Sequence, residues 1–486
     1  MRPNILIVMT DHQRWDTVLP DGRCMTPNVQ RLAGAGVSFT RTYCPAPHCC
    51  PARASFHSAL YPSRHGVWNN ICNAQRLSPG IRAGTRLWSS DLRDAGYDMH
   101  FLGKWHVDTR TSPADHGWTE HAVTATGSDV MGLDWAALER LAQSSPPAER
   151  PWGCLHYPGY GREMHRNFYA ITEEQSAESG DQRKADQASA LIHECGGGDQ
   201  PWAMFVGLSG PHDPYHAPQR WLDRYDLDDV PLPPSYSDTM HDKPNLYRRM
   251  REQVFGQWGE RETRDAIRHY LAHCSWLDEM FGQMLDALDA TGAADDTLVL
   301  YCSDHGDYCG DHGLFSKGIP NFDGAYRVPG VIRWPKAVAR PGRSIDAMVS
   351  LCDFGPTFLE AAGLAVPDGL SGRSLMPWLA DDAPDDWRRS LLLQCNGVEN
   401  YVTQRSIRTA DWHYTYNAFD FDELYNLGQD PHETVNLARD PAHRGEVERL
   451  CREMWALCHA EEDSPGSSYV TVALSPSGPA SIFRDA

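Results

Sequence analysis

Four short runs do most to limit how this chain folds. Asn4–Met9, "YDMHFLGKWH" (97–106), "WAMFVGLSGPH" (202–212) and "TLVLYCSDHGD" (297–307) are continuously apolar and then stop abruptly in Gly, Ser, Asp, Lys or His. A short apolar run without alternation is the pattern of a strand buried on both faces, as in a parallel sheet. Helical patterns lie between these runs. The clearest spans 260–291, where Ile267, Tyr270, Leu271, Cys274, Leu277, Phe281, Met284, Leu285 and Leu288 recur at helical spacing until Thr291-Gly292 stops them. Strands alternating with helices predict an α/β fold with a large mixed, mainly parallel sheet flanked by helices.

The length, 486 residues, suits two or three domains, or one large α/β domain with an appendage. A boundary is expected near 372–388, where "GRSLMPWLADDAPDDWRR" is polar and interrupted by Pro377 and Pro384. This gives an α/β domain over 1–375 and a smaller C-terminal α+β subdomain over 376–486. In the second, "SLLLQC", "YVTQRSIRT" and "WHYTYN" alternate like antiparallel strands and 444–460 reads as an amphipathic helix. The tail from Ser464, rich in Ser, Gly and Pro, is expected to be extended. Residues 111–195 and 213–259 are irregular. They read as insertions over the sheet edge, and the aromatics of 111–170 are candidates to stack on a sugar or aryl group.

A formal charge of −21 argues against a nucleic-acid binder, which needs a basic face. A small anionic substrate remains compatible if positive charge is gathered in one pocket. "MRPNILIVMTDHQRWD" lacks the pattern of a signal peptide and no run of about 20 apolar residues exists, so a cytoplasmic chain without a membrane partner is expected. The 14 cysteines, none in a C-x-x-C zinc spacing, then read as reduced thiols. A homo-oligomer is compatible with the sequence.

In open α/β sheets the site lies outside the carboxyl ends of the strands. The four strand ends carry Asp11-His12, Lys104 with His106, His212, and Asp304-His305. Each has an ordinary structural reading: Asp11 as a helix cap, Lys104 as a surface lysine, the histidines as hydrogen-bonded core residues, Asp304-His305 as a turn. Their gathering at one end of one sheet favours chemistry. Asp11 and Asp304 offer oxygens to a divalent cation. Arg53, Lys104 and Lys317 offer fixed cations to a tetrahedral oxyanion, and His106 and His212 offer proton transfer. Without a Gly-rich nucleotide loop, hydrolysis of a sulfate or phosphate ester is the reaction indicated.

"CCPARASF" (49–56) makes the reading specific. Cys49-x-Pro51-x-Arg53, followed by "ASFHSALYPSRHG", resembles the signature of the type I sulfatases, whose cysteine is oxidised to formylglycine. Ser58-Ala59 depart from the family's usual Thr-Gly. "GKWH" (103–106), "GPHDPY" (210–215), "SDHGDYCGDHGLFSKG" (303–318) and "ELYNLGQDPHETVNLA" (423–438) resemble further motifs in the family's order. The resemblance covers Asn4 to about Asp440 and implies the alkaline phosphatase-like fold.

It also implies roles. Residue 49 becomes an aldehyde whose hydrate, a geminal diol, attacks sulfur with one hydroxyl and expels sulfate with the other. A formylglycine-generating enzyme is then a maturation partner, and Cys50 is incidental. Asp11, Asp304 and His305 match cation ligands together with residue 49. Arg53 and Lys104 match groups that hold the diol, and His106 the proton acceptor during sulfate expulsion. His212 and Lys317 match the groups that bind sulfate and protonate the leaving oxygen. Calcium is the expected cation, with manganese and magnesium as alternatives. His12 stands where the family has Asp or Gln, so either it turns away or, as a further ligand, it favours a softer metal. The substrate expected is a sulfate monoester of a sugar, an aryl group or another small organic molecule. The rivals are a phosphonate monoester hydrolase or phosphodiesterase of the same superfamily, which usually lacks the Lys and His of "GKWH", and a catalytically dead binding protein. "YPSRHGVWNN" (61–70) leaves His65 and Asn70 open between reaching the pocket and supporting the turn.

Overall fold

In a computed structural model of the chain, residues 2–483 are described apart from positions 21 and 74 and the stretches 123–138, 140–149, 157–164, 173–179, 398–399 and 465–467. Of the aromatics proposed to stack on substrate between 111 and 170, Trp135, Tyr157 and Tyr160 therefore lie outside the described residues.

Nine strands form the main sheet: β1 (Asn4–Asp11), β2 (Val37–Tyr43), β3 (Asp98–Gly103), β4 (Thr119–Ala122), β5 (Trp202–Pro211), β6 (Thr297–Ser303), β7 (Arg327–Val328), β8 (Gly330–Arg333) and β9 (Arg343–Ser350). Their order is β7-β2-β8-β6-β1-β5-β3-β4, with β9 also paired to β2. Five consecutive strands, β6, β1, β5, β3 and the edge strand β4, are parallel. β8 runs antiparallel between β6 and β2, so the sheet is mixed but mainly parallel.

The four apolar runs are the four inner parallel strands. β1 shows why alternation is missing: Ile5, Ile7 and Met9 enter one core while Leu6 and Val8 enter the other. Both faces are covered, so both must be apolar. Helices α1 (Pro27–Gly34), α3 (Gly180–Cys195) and α4 (Glu260–Thr291) include the covers of the second face, and α2 (Cys49–Ser58) packs into the first. The helix expected over 260–291 is α4, ended by Gly292 at φ 73°. Among the described residues no helix is long and apolar enough to cross a membrane.

A second, antiparallel sheet follows: β10 (Ser390–Cys395), β11 (Gln404–Thr409), β12 (Trp412–Asn417) and β13 (Glu423–Asn426). Helix α5 (Arg444–Ala460) covers it with Val447, Leu450, Met454 and Trp455. The tail differs from expectation. It carries a short helix at Ser468–Leu474 and a 3-10 turn at Pro479–Phe483. The cause is tertiary: Cys451 and Trp455 of α5 both donate to the Ser477 carbonyl, which draws the tail back onto the helix.

The "DPHETVNL" segment joins the two sheets through Glu433. Its carboxylate accepts from Arg408 at 2.7 Å, from His413 at 2.6 Å and from the Asp323 amide at 2.9 Å. Burial alone would raise its pKa, but Arg408 and His413 outweigh burial and hold it well below the glutamate range. A depressed carboxyl adds stability above its unfolded pKa, and that contribution is lost as pH falls. Glu433→Ala, which leaves Arg408 partly unpaired in a buried place, is expected to cost about 3–5 kcal/mol at neutral pH. Calorimetry should show a lower melting temperature, and a gap between wild type and Glu433→Gln that narrows below about pH 4.

Candidate active site

Register builds the site. Thr10 pairs with Ser303, so the next residues of two adjacent parallel strands, Asp11 and Asp304, meet side by side. β5 borders β1 and runs into His212, and β3 borders β5 and runs into Lys104. Gly103 makes that last exit. It sits at φ +96°, and a Cβ there would lie 2.2 Å from the Gly207 carbonyl oxygen.

Cys49 is the first residue of α2, 1% exposed, and Arg53 follows one turn later on the same face. Cys49 Sγ lies 3.6 Å from Asp11 Oδ1, 3.4 Å from His305 Nε2 and 3.1 Å from Lys317 Nζ. Burial would raise this thiol, but Lys104, Lys317 and His305 outweigh it and hold the pKa well below that of a free cysteine. Arg53, fully buried, donates Nε to Asp304 at 2.8 Å, Nη2 to Asp11 at 3.4 Å and Nη1 to the Lys104 carbonyl at 2.9 Å. Lys104 Nζ donates to Asp11 as well. Two carboxylates and three cations thus enclose residue 49, all at one end of the sheet.

Asp11, Cys49, Asp304 and His305 present one ligand atom each within 4.8 Å of one another. His305 Nδ1 is hydrogen-bonded to the Gly306 carbonyl at 2.8 Å, so that nitrogen carries a proton and Nε2 is the atom that faces the cluster. Burial and the neighbouring Asp11 carboxylate push Asp304 up. Oxygen ligands with one imidazole fit a divalent cation.

His12 does not turn away. Its ring centroid is 4.0 Å from that of His212 and 4.4 Å from that of His305. Nδ1 lies 3.1 Å from Asp307 Oδ2, while Nε2 contacts Lys317 and lies 3.7 Å from Asp11 Oδ1. This orientation comes from a left-handed backbone at His12 (φ 71°), held by Tyr270 of α4. The tyrosine hydroxyl donates to the His12 carbonyl at 2.7 Å and accepts the Arg14 amide at 3.0 Å.

The remaining candidates surround residue 49. Lys317 Nζ is 3.2 Å from His212 Nε2, and His212 Nδ1 is 2.6 Å from the Asp213 carbonyl. The His212 side chain is 32% exposed. His106 Nε2 pairs with Cys72 Sγ at 3.1 Å, and its backbone is also left-handed, at φ 58°.

His65 and Asn70 support the turn. His65 Nδ1 accepts the Val67 amide, leaving Nε2–H to donate to Ser55 at 3.0 Å, and Asn70 Oδ1 accepts the Cys50 amide at the start of α2. Three groups went unassigned in the sequence: Asp307, its partner Tyr215, and Cys72. Asp307 lies inside "SDHGDYCGDHG" and orients His12. Burial pushes its carboxyl up to about 7, and Tyr215 donates to it at 2.8 Å. Cys72 carries no sequence signal that ties it to His106.

The sulfatase family model matches residues 3–364, and the model for the C-terminal part of N-sulphoglucosamine sulphohydrolase matches 310–460. The chain is 30% identical to the choline-sulfatase of Rhizobium meliloti (strain 1021) over 469 residues, 92% of this chain and 84% of that one. Two solved structures share the fold at a TM-score of 0.74. One was solved in complex with D-glucosamine-2-N,6-O-disulfate, described as its substrate, at 22% identity over 96% of this chain and 99% of the other. The second is a phosphonate monoester hydrolase from Silicibacter pomeroyi, at 23% identity over 96% and 97%.

Proposed function

Since this chain belongs to the sulfatase family and is a sulfuric ester hydrolase of the alkaline phosphatase superfamily, we propose that it hydrolyses small organic sulfate monoesters with formylglycine at position 49 and one divalent cation. The observation that carries this reading is the enclosure of residue 49 by Arg53, Lys104 and Lys317, with His106 and His212 beside it.

Oxidation and hydration of residue 49 supply two hydroxyl groups on one carbon, one to attack sulfur and one to release sulfate. A cation held by Asp11, Asp304, His305 and residue 49, with His12 as a further ligand, supplies charge neutralisation at the reacting oxygens. The protein's own residues do the rest. Arg53 is locked by Asp304, Asp11 and the Lys104 carbonyl, so its charge stays in place through the reaction. Lys104 and Lys317 favour the anionic form of residue 49. Lys317 Nζ also stands where sulfate oxygens approach, between residue 49 and His212. Since His212 Nδ1 is turned to the Asp213 carbonyl, Nε2 is the atom that gives a proton to the leaving oxygen. His106, on the other flank, takes the proton released when sulfate departs. Burial and Lys104 oppose its protonation, but hydrogen bonds with Cys49 and Cys72 outweigh them and move its pKa up.

A panel of aryl, sugar and choline sulfates against phosphonate monoesters and phosphate diesters tests the assignment. Sulfate monoesters are expected to give the higher kcat/KM, and preference for the phosphorus esters would favour the hydrolase reading instead. Chelation is expected to abolish turnover and metal add-back to restore it. Elemental analysis that finds fully active protein without metal would count against the cation. Calcium should restore most activity if the carboxylates dominate binding, and manganese should do so if His12 contributes.

A further inference from the structure

We propose that Asp98, His100 and Cys195 form a zinc site at the end of the main sheet opposite the active site, with His121 orienting the histidine. The three residues present ligand atoms within 4.8 Å of one another. His100 Nε2 lies 3.4 Å from Cys195 Sγ and 3.2 Å from Asp98 Oδ2. Tetrahedral zinc with ordinary bond lengths separates nitrogen from sulfur by about 3.6 Å and nitrogen from oxygen by about 3.3 Å. Two edges of the cluster thus match a zinc site, and the third, Asp98 to Cys195, lies within 4.8 Å.

The fold explains why these three meet. Side chains two apart on a strand share a face, so Asp98, His100 and Leu102 of β3 point the same way. That face is covered by α3, whose Leu191 and Ile192 share the core cluster with Leu102. Cys195 is the last residue of α3 and comes down on His100. β4 pairs in parallel with β3 and brings His121 to the other side of the ring, where its Nε2 lies 2.9 Å from His100 Nδ1.

That second histidine is the telling feature. With His100 Nδ1–H donated to His121, the His100 Nε2 lone pair faces the thiol and the carboxylate, which is how a metal-binding histidine is held. Sulfur, nitrogen and one oxygen together suit zinc over calcium or magnesium. Asp98 is half exposed, which leaves a path for entry and room for water as fourth ligand. His100 precedes Lys104 by four residues, roughly 13 Å along the strand, so the site is separate from residue 49. A metal there would clip the start of β3 to the end of α3.

The test is metal content by difference. Protein kept in excess calcium, to occupy the oxygen ligands of the active site, is loaded with zinc, desalted and analysed. Wild type is expected to hold one more zinc per chain than Cys195→Ser or His100→Ala. With cobalt as the probe, the difference spectrum between wild type and Cys195→Ser should show sulfur-to-cobalt charge transfer in the near ultraviolet. His121→Ala, which leaves all three ligands, should bind zinc about 10–100-fold more weakly, a readout that survives if the ligand variants fold poorly. Equal zinc in wild type, Cys195→Ser and His100→Ala, or a difference spectrum without the sulfur band, overturns the proposal, and so does unchanged affinity in His121→Ala.

Discussion

Cys49→Ala is expected to lower turnover by about 10⁴-fold or more, the scale on which a covalent nucleophile's loss is felt. The expectation rests on place as much as on type. Cys49 lies at the start of α2, among Asp11, His305 and Lys317, and among the described residues no other cysteine approaches those three. Cys50, its neighbour, faces away: it takes the Ile71 amide on Sγ, and burial raises its thiol. Cys50→Ala should therefore retain most activity. Cys49→Ser is the more informative variant. Its hydroxyl can attack sulfur once but has no second hydroxyl on the same carbon to release sulfate. A single turnover followed by a stalled sulfated protein is expected, visible as a burst without steady state. Mass spectrometry of the peptide carrying residue 49 from active protein should show the thiol sulfur and two hydrogens replaced by one oxygen. Activity from a preparation whose residue 49 is wholly a thiol sinks the formylglycine reading.

Lys104→Ala is expected to lower sulfatase turnover by about 10²–10³-fold, the scale of losing one preorganised contact to developing charge. Lys104 has two tasks in the structure. It donates to Asp11, and with Lys317 and His305 it offsets the burial of residue 49. Asp11 keeps Arg53 as a partner when the lysine is removed, so metal binding should weaken less than turnover. The effect should therefore fall on kcat more than on KM. A sulfate monoester and a phosphate diester carry the same charge, but the diester must place a second substituent where Lys104 and His106 crowd the tetrahedral group. Any diesterase activity should thus suffer less from Lys104→Ala. Equal loss of both activities would shift the assignment towards the phosphorus-ester hydrolases, whose fold this chain shares at the same TM-score as the sulfatase-substrate complex.

Much of this architecture was legible in the chain because parallel strands leave a direct trace. A strand covered on both faces must be apolar throughout, so β1, β3, β5 and β6 stand out as unbroken runs, and the residue that ends each run lies at the site. The 32-residue helix α4 was equally plain from its apolar period and its terminal glycine. The antiparallel sheet was readable strand by strand up to Asn417, but β13 lay hidden inside the closing motif.

What the chain alone determined, then, is which residues reach the carboxyl ends of the central strands, and so the chemistry available there. Sequence periodicity reports burial, and burial is what distinguishes those strands. Tertiary structure alone decided how that chemistry is arranged. Whether His12 faces the cluster depends on a left-handed turn braced by Tyr270, some 258 positions away, and on Asp307 from the next strand end. Which thiol meets His106 depends on the loop that carries Cys72. The folding back of the tail depends on two donors of α5, and the meeting of His100 with Cys195 on where α3 ends above β3. Such contacts join single residues far apart in the chain, and a single pair has no period to read.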